Sequence, residues 1–116
     1  MSRQGIGRRG AGRQAAHGEI WWLEDRDIGR RPVLVLTRDS AVVVLTGLVV
    51  APITRTIRGI PTEIELDSDD GMAERCAVTL DNLRTVPKAL LTRRIAALSV
   101  AKRLQMCEAL RFAVDC

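Results

Sequence analysis

Histidine is nearly missing from this chain, and so are aromatic rings. The 116 residues include one histidine, His17, no tyrosine, one phenylalanine and two tryptophans. A two-histidine acid/base mechanism is therefore impossible. A Ser-His or Cys-His nucleophile pair would have to use His17, which lies at the edge of a Gly- and Arg-rich N-terminal stretch. With Trp21, Trp22 and Phe112 as the only rings, the chain does not read RNA as an aromatic sheet would.

Other absences narrow the chemistry further. Cys76, Cys107 and Cys116 are odd in number and none has CxxC spacing, so neither a disulfide framework nor a zinc site is expected and the thiols are read as reduced. Asp67, Asp69 and Asp70 resemble the start of a calcium loop, but the glutamate that such a loop needs at its twelfth position is absent; a solvated turn is expected instead. Neither GxxxxGK[ST] nor GxGxxG occurs. No metal and no cofactor is expected. No apolar run approaches the length of a membrane span, and the N-terminus lacks the apolar core of a secretory signal. The expectation is a soluble cytoplasmic protein with no membrane partner.

What is present is charge, unevenly placed. The formal net charge is +4, and Arg3, Arg8, Arg9 and Arg13 account for all of it; the other 99 residues hold 14 basic and 14 acidic side chains. Within those 99, residues 30–62 carry Arg30, Arg31, Arg38, Arg55 and Arg58 against Asp39 alone, while residues 63–81 carry seven acids against Arg75. A concentrated basic segment can focus a field on a phosphate even when the domain is neutral overall. The length suits one domain with one core. Residues 1–17 read as a disordered basic arm, either inert or in non-specific contact with phosphate, and residues 18–116 as the folded domain.

Short apolar segments dominate the domain. Strands are expected at residues 19–23, 32–37, 42–45, 48–53, 62–66, 76–80 and 93–98, with a polar loop at 24–31. The run at 32–37 is continuously aliphatic, so it should be buried on both faces, and Pro32 is acceptable at its first position. Residues 67–71 form a turn cluster. Pro87 opens a short helical turn. Ser99 is a suitable N-cap for a terminal amphipathic helix over 100–114, with Val100, Leu104, Cys107 and Phe112 as its apolar stripe for core and dimer contact. Many short strands followed by one helix imply a mainly β chain: a small, strongly curved antiparallel barrel closed by a C-terminal α-helix. Trp21 and Trp22 are adjacent, so one should face the core and the other an interface.

The remaining functional groups are arginine, hydroxyl and carboxylate. Arginine stays charged and pairs two phosphate oxygens at once, and threonine can donate one hydrogen bond to a non-bridging oxygen. These groups suit phosphoryl transfer in which RNA supplies its own 2′-hydroxyl as nucleophile and the protein orients the backbone and stabilises charge. Taken singly, Arg31 also fits a surface ion pair, Thr54 a sheet hydroxyl, and Arg55 and Arg58 a solvated hairpin.

Five blocks occur in order: Gly18-Glu19-Ile20-Trp21-Trp22, Arg30-Arg31-Pro32-Val33-Leu34-Val35, Val50-Ala51-Pro52-Ile53-Thr54, Ile60-Pro61-Thr62-Glu63-Ile64-Glu65-Leu66, and Leu80-Asp81-Asn82-Leu83-Arg84-Thr85-Val86. Together they resemble the MazF/PemK toxins of bacterial type II toxin–antitoxin systems. The resemblance implies an SH3-like barrel, a homodimer and metal-independent, sequence-specific cleavage of single-stranded RNA (mRNA, tRNA or rRNA) to 2′,3′-cyclic phosphate and 5′-hydroxyl ends. It also implies inhibition of translation and growth, and an acidic antitoxin partner. Carried onto this sequence, it makes Arg31 and Thr54 the catalytic pair. The RNA-binding set is Arg30, Arg55, Thr56, Arg58, Asp81, Asn82 and Arg84. The PemK branch places an arginine two positions before the aspartate; Thr79 stands there, which favours the MazF type. A non-catalytic toxin on the same barrel, binding a protein target such as DNA gyrase, is the competing reading.

Overall fold

The computed structural model describes residues 14–27 and 29–113. The basic segment 1–13 and the last three residues lie outside the described part. Among the described residues, seven strands and two α-helices follow in the order β1 (Glu19–Asp25), β2 (Gly29–Val35), α1 (Asp39–Val42), β3 (Gly47–Thr54), β4 (Glu63–Leu66), β5 (Cys76–Thr79), β6 (Arg84–Pro87), β7 (Leu91–Ala97) and α2 (Val100–Ala113), with short 3-10 turns at Ser68–Asp70 and Lys88–Leu90. All pairings are antiparallel, and the sheet runs β4-β5-β3-β2-β1-β7. β3 is shared: its far edge pairs β6 over Gly47–Val50 and β5 at Ile53 and Thr54. One strand feeding two partners forces the sheet to curl into a half-barrel.

The two-residue period of the strands splits their side chains between two cores. Ile20, Leu34 and Ala51 join Ile64, Leu66, Val78 and Leu80 under α2. Their neighbours Trp21, Val33, Val35 and Val50 join Leu48, Val86 and Leu91 on the opposite face. The central run 32–37 was expected to be buried on both sides, and Val33, Leu34 and Val35 are. The second core also takes in Ala15. Ala16 accepts a backbone hydrogen bond from Glu19, and His17 donates its N–H to Asp39. Residues 15–17, read by composition as arm, are thus packed on the domain.

Four local expectations are corrected. The loop at 24–31 is shorter than expected, because β1 continues to Asp25 and β2 starts at Gly29, with Glu24 opposite Arg30 and Leu23 opposite Arg31. Polarity suggested a loop, yet opposite charges facing each other across a ladder favour pairing at a solvated strand end. The strand expected at 42–45 does not form: Val42 ends the single turn α1, and residues 43–45 follow it without regular structure. Val42 buries its side chain, while Val43, Val44 and Leu45 are exposed on the way to β3. β6 was not anticipated, being four residues long with one buried side chain. On α2 the stripe is displaced. Ser99 caps it as expected, its Oγ accepting from Lys102 N. The side chains that meet the sheet, however, are Met106 and Ala109, while Val100, Leu104 and Phe112 stand exposed. Small Ala109 lets the helix lie close to the sheet, a packing reason that a count of large apolar residues misses.

Candidate active site

The β2–β3 ladder begins at Val35↔Val50 and ends at Val33↔Pro52. Carrying that register two residues further would place Arg31 opposite Thr54. The strands part before they reach it. Pro32 and Pro52 sit at the parting and neither has an N–H to give the ladder. Ile53 and Thr54 turn to β5 instead, opposite Val78 and Ala77. The result is a cleft of about 680 Å³ at the rim of the half-barrel, with Arg31 on one lip and Thr54 on the other.

Seven of the nine residues expected from sequence line this cleft: Arg30, Arg31, Thr54, Arg55, Thr56, Arg58 and Asn82. Asp81 stands just behind, held by Arg58. Arg84 is not brought in; it lies on β6 opposite Val50. The Thr54 hydroxyl oxygen accepts a hydrogen bond from the Thr56 backbone N–H at 3.1 Å. That contact orients the side chain and leaves its proton free to donate. Thr79, where the PemK pattern has arginine, is buried and gives its hydroxyl to the Pro52 carbonyl at 2.9 Å, fixing the strand that carries Thr54.

The cations of the cleft differ in how firmly they are held. Arg58 is clamped: its Nε reaches Glu63 at 2.8 Å and its Nη2 reaches both oxygens of Asp81 at 3.2 and 3.3 Å. The hydrogen bonds it donates to Glu63 and then to Asp81 raise its pKa further. Arg55 makes only an exposed pair with Glu74 at 3.3 Å, which holds it weakly. The Arg30 guanidinium lies 4.2 Å from the centroid of Trp22, with Glu24 at 3.7 Å from its Nε. Among the described residues, Arg31 forms no ion pair with a carboxylate. Its charge is therefore the one most available to an incoming phosphate.

Several contributors were not singled out from sequence. Glu63 sits in an alternating strand and reads as solvent-facing, yet its side chain is 1% exposed. Burial pushes its pKa up, but the Arg58 side chain and the N–H groups of Arg58 and Gly59 outweigh this and hold it below the usual carboxylate range. The cleft floor is apolar, formed by Trp22, Pro32, Ile53, Met72 and Ile95 at the open mouth of the first core. Only the adjacency of the tryptophans hinted at this: Trp21 faces the core and Trp22 the cleft. Cys76 also lines the cleft, but burial, and then Asp70, Asp67 and Glu74, push its thiol up and away from the nucleophilic thiolate. His17 is spent on the Leu36 carbonyl at 3.0 Å. Among the described residues no three His, Cys, Asp or Glu side chains group to hold a metal ion, and no helix is long and apolar enough to cross a membrane.

Comparison with known proteins gives a consistent answer. Residues 16–114 match the family model of PemK-like, MazF-like toxins of type II toxin–antitoxin systems. The chain is 45% identical over 102 residues to the probable endoribonuclease MazF5 of Mycobacterium tuberculosis, covering 87% of this chain and 94% of that protein. It is 39% identical to the probable endoribonuclease MazF2 of the same species, covering 85% and 97%. Among solved structures, the M. tuberculosis toxin MazF-mt6 superposes with a TM-score of 0.76 at 36% identity, covering 82% of this chain and 94% of that one. A mycobacterial endoribonuclease in complex with its cognate antitoxin shares the fold with a TM-score of 0.77 at 23% identity, covering 85% and 93%.

Proposed function

Because the chain belongs to the PemK-like, MazF-like toxin family of type II toxin–antitoxin systems, we propose that it is an endoribonuclease that cuts single-stranded RNA without a metal ion, using Arg31 and Thr54. The observation that carries this reading is the parting of β2 and β3, which sets these two side chains on facing lips of one cleft.

The step follows from the groups present. The ribose 2′-oxygen attacks the adjacent phosphorus as the bond to the 5′-oxygen breaks. The 2′-hydroxyl loses its proton and the departing 5′-oxygen gains one. The products are a 2′,3′-cyclic phosphate and a 5′-hydroxyl. Charge gathers on the non-bridging oxygens as the phosphorus becomes five-coordinate. Arg31 neutralises it through a bidentate pair, and Thr54 donates a hydrogen bond to the same group. A guanidinium keeps its proton at physiological pH, so the main role of Arg31 is electrostatic. Arg30, Arg55, Thr56, Arg58, Asp81 and Asn82 form the surface that receives the flanking nucleotides, with Arg84 outside the cleft on the course of a longer strand. Cytoplasmic mRNA is the natural substrate class.

The same cleft is the docking site for the acidic segment of a cognate antitoxin, whose carboxylates would occupy the arginines that RNA phosphates use. The chain pairs with a second copy. The exposed Val43, Val44 and Leu45 offer apolar surface for that contact.

The test is incubation of the purified protein with long single-stranded RNA in EDTA. Fragments with cyclic phosphate ends are expected, and their loss in Arg31→Ala. Intact RNA after treatment with a folded wild-type protein would refute the nuclease reading and favour a non-catalytic toxin that binds a protein target.

A further inference from the structure

We infer that Trp22 and Arg30 form one wall of a subsite that takes an RNA base beside the cut phosphate. This rests on the endoribonuclease reading and deepens it, by naming where a base is read. Phosphate recognition alone accounts for Arg31 and Thr54, but not for what lies beneath them. Beside Trp22 the cleft is lined by Pro32, Ile53, Met72 and Ile95, and such an apolar floor disfavours a phosphate by desolvating it. A flat, weakly polar nucleobase is the part of RNA that gains by lying there.

The wall matches that ligand. The Arg30 guanidinium is planar, is backed by the Trp22 indole at 4.2 Å, and has half of its side chain open to solvent. A guanidinium seated over a ring leaves its far face to a base. Glu24 stands 3.7 Å from its Nε, an exposed pair that adds little to its hold. Arg30 and Arg31 are consecutive on a strand, so their side chains leave in opposite directions. A nucleotide likewise presents its phosphate and its base in different directions. One residue takes the charge and its neighbour takes the ring. The cleft thus offers a stacking position that needs no sheet of aromatics.

The two tryptophans make this measurable, because Trp21 is 4% exposed while Trp22 lines the cleft. The probes are a randomised pool of 2′-O-methylated hexaribonucleotides, which cannot be cut, and an abasic ribose-phosphate chain of the same length. Both carry a 5′ label that reports binding by anisotropy. The pool should quench tryptophan emission in wild type and in Trp21→Phe, and several-fold less in Trp22→Phe. The abasic chain should bind roughly tenfold more weakly, the size of one lost stack, and leave emission unchanged. Equal quenching by the abasic chain, or undiminished quenching in Trp22→Phe, overturns the subsite. Mapping of cut sites in long RNA gives a second readout. Arg30→Lys and Trp22→Leu should relax the base preference at one position next to the cut, whereas Arg30→Gln, planar but uncharged, should keep it. An unchanged cut pattern in Arg30→Lys and Trp22→Leu, with wild type active, overturns the subsite and leaves the nuclease standing. Absence of both cleavage and binding in wild type overturns the two together.

Discussion

At position 31 charge and shape can be separated. Arg31→Lys keeps the positive charge and loses the planar fork that pairs two phosphate oxygens at once. Arg31→Ala loses both. If the fork matters, Arg31→Lys should lower kcat at least tenfold, and Arg31→Ala should lower it by a further ten- to hundredfold, within the range seen for removal of one preorganised donor. Equal activity of wild type and Arg31→Lys would show that a point charge suffices. Thr54→Val is nearly isosteric and removes a single hydroxyl. Roughly a hundredfold loss of kcat is expected, with activity largely restored in Thr54→Ser. The stability cost should stay below about 1 kcal/mol, because the hydrogen bond lost to Thr56 N–H is exposed. A urea melt run beside the cleavage assay separates the two effects.

At the scale of elements, the segment from Thr54 to β4 has little regular structure and is held by one buried carboxylate. Glu63 accepts from the backbone of Arg58 and Gly59 and from the Arg58 side chain, which in turn holds Asp81. Its native pKa lies below the ordinary value of 4.5. The stabilisation it gives is therefore complete above about pH 4.5. It fades as the pH falls and is gone below the depressed native pKa. Glu63→Gln should cost about 1–3 kcal/mol at pH 7, the scale of charged hydrogen bonds. The gap between wild type and Glu63→Gln in urea midpoint should narrow between pH 5 and pH 3. A gap independent of pH would assign the cost to shape and not to charge.

Glu63 also shows where sequence stops being informative. The alternation of Thr62 to Leu66 correctly placed a strand, but alternation says nothing about a charged side chain folding back onto its own loop. The run 32–37 and the Ser99 cap were legible because each is local. The displaced face of α2 and the missed β6 were not, since both depend on which partner surface exists. In the cleft, the arginines and Thr54 could be named from ordered blocks. Their meeting, and the exclusion of Arg84, depend on the register between β2 and β3 and on the placement of β6. The floor of Pro32, Met72 and Ile95 carries no chemical signature in one dimension at all.

For the whole molecule, two surfaces remain to be explained by association. Val44 is 76% exposed and flanked by exposed Val43 and Leu45, a sequence of side chains that a lone monomer would bury. If they meet a second copy, sedimentation should give a dimer in wild type and a monomer in Val44→Glu at the same concentration. A dimer persisting in that variant would move the interface elsewhere, with exposed Leu104 and Phe112 on α2 as the next surface to charge. The other surface is electrostatic. The domain from residue 18 onward balances 14 basic against 14 acidic side chains, so the net charge resides in Arg3, Arg8, Arg9 and Arg13. If that arm engages phosphate, each contact releases counterions and steepens the fall of affinity with salt by about 0.7 in log–log slope on a single strand. Four contacts would add nearly 3. The truncation that tests this must stop at residue 13, because Ala15 is buried and Ala16 and His17 are hydrogen-bonded to Glu19 and Asp39. Removing residues 1–17 would mix a charge effect with a packing defect. Binding of an uncleavable single-stranded RNA between 50 and 300 mM salt should then show a flatter slope for the chain lacking residues 1–13, with its thermal midpoint unchanged. An unchanged slope would leave the cleft arginines as the only electrostatic partners of RNA and make the basic arm a bystander to binding.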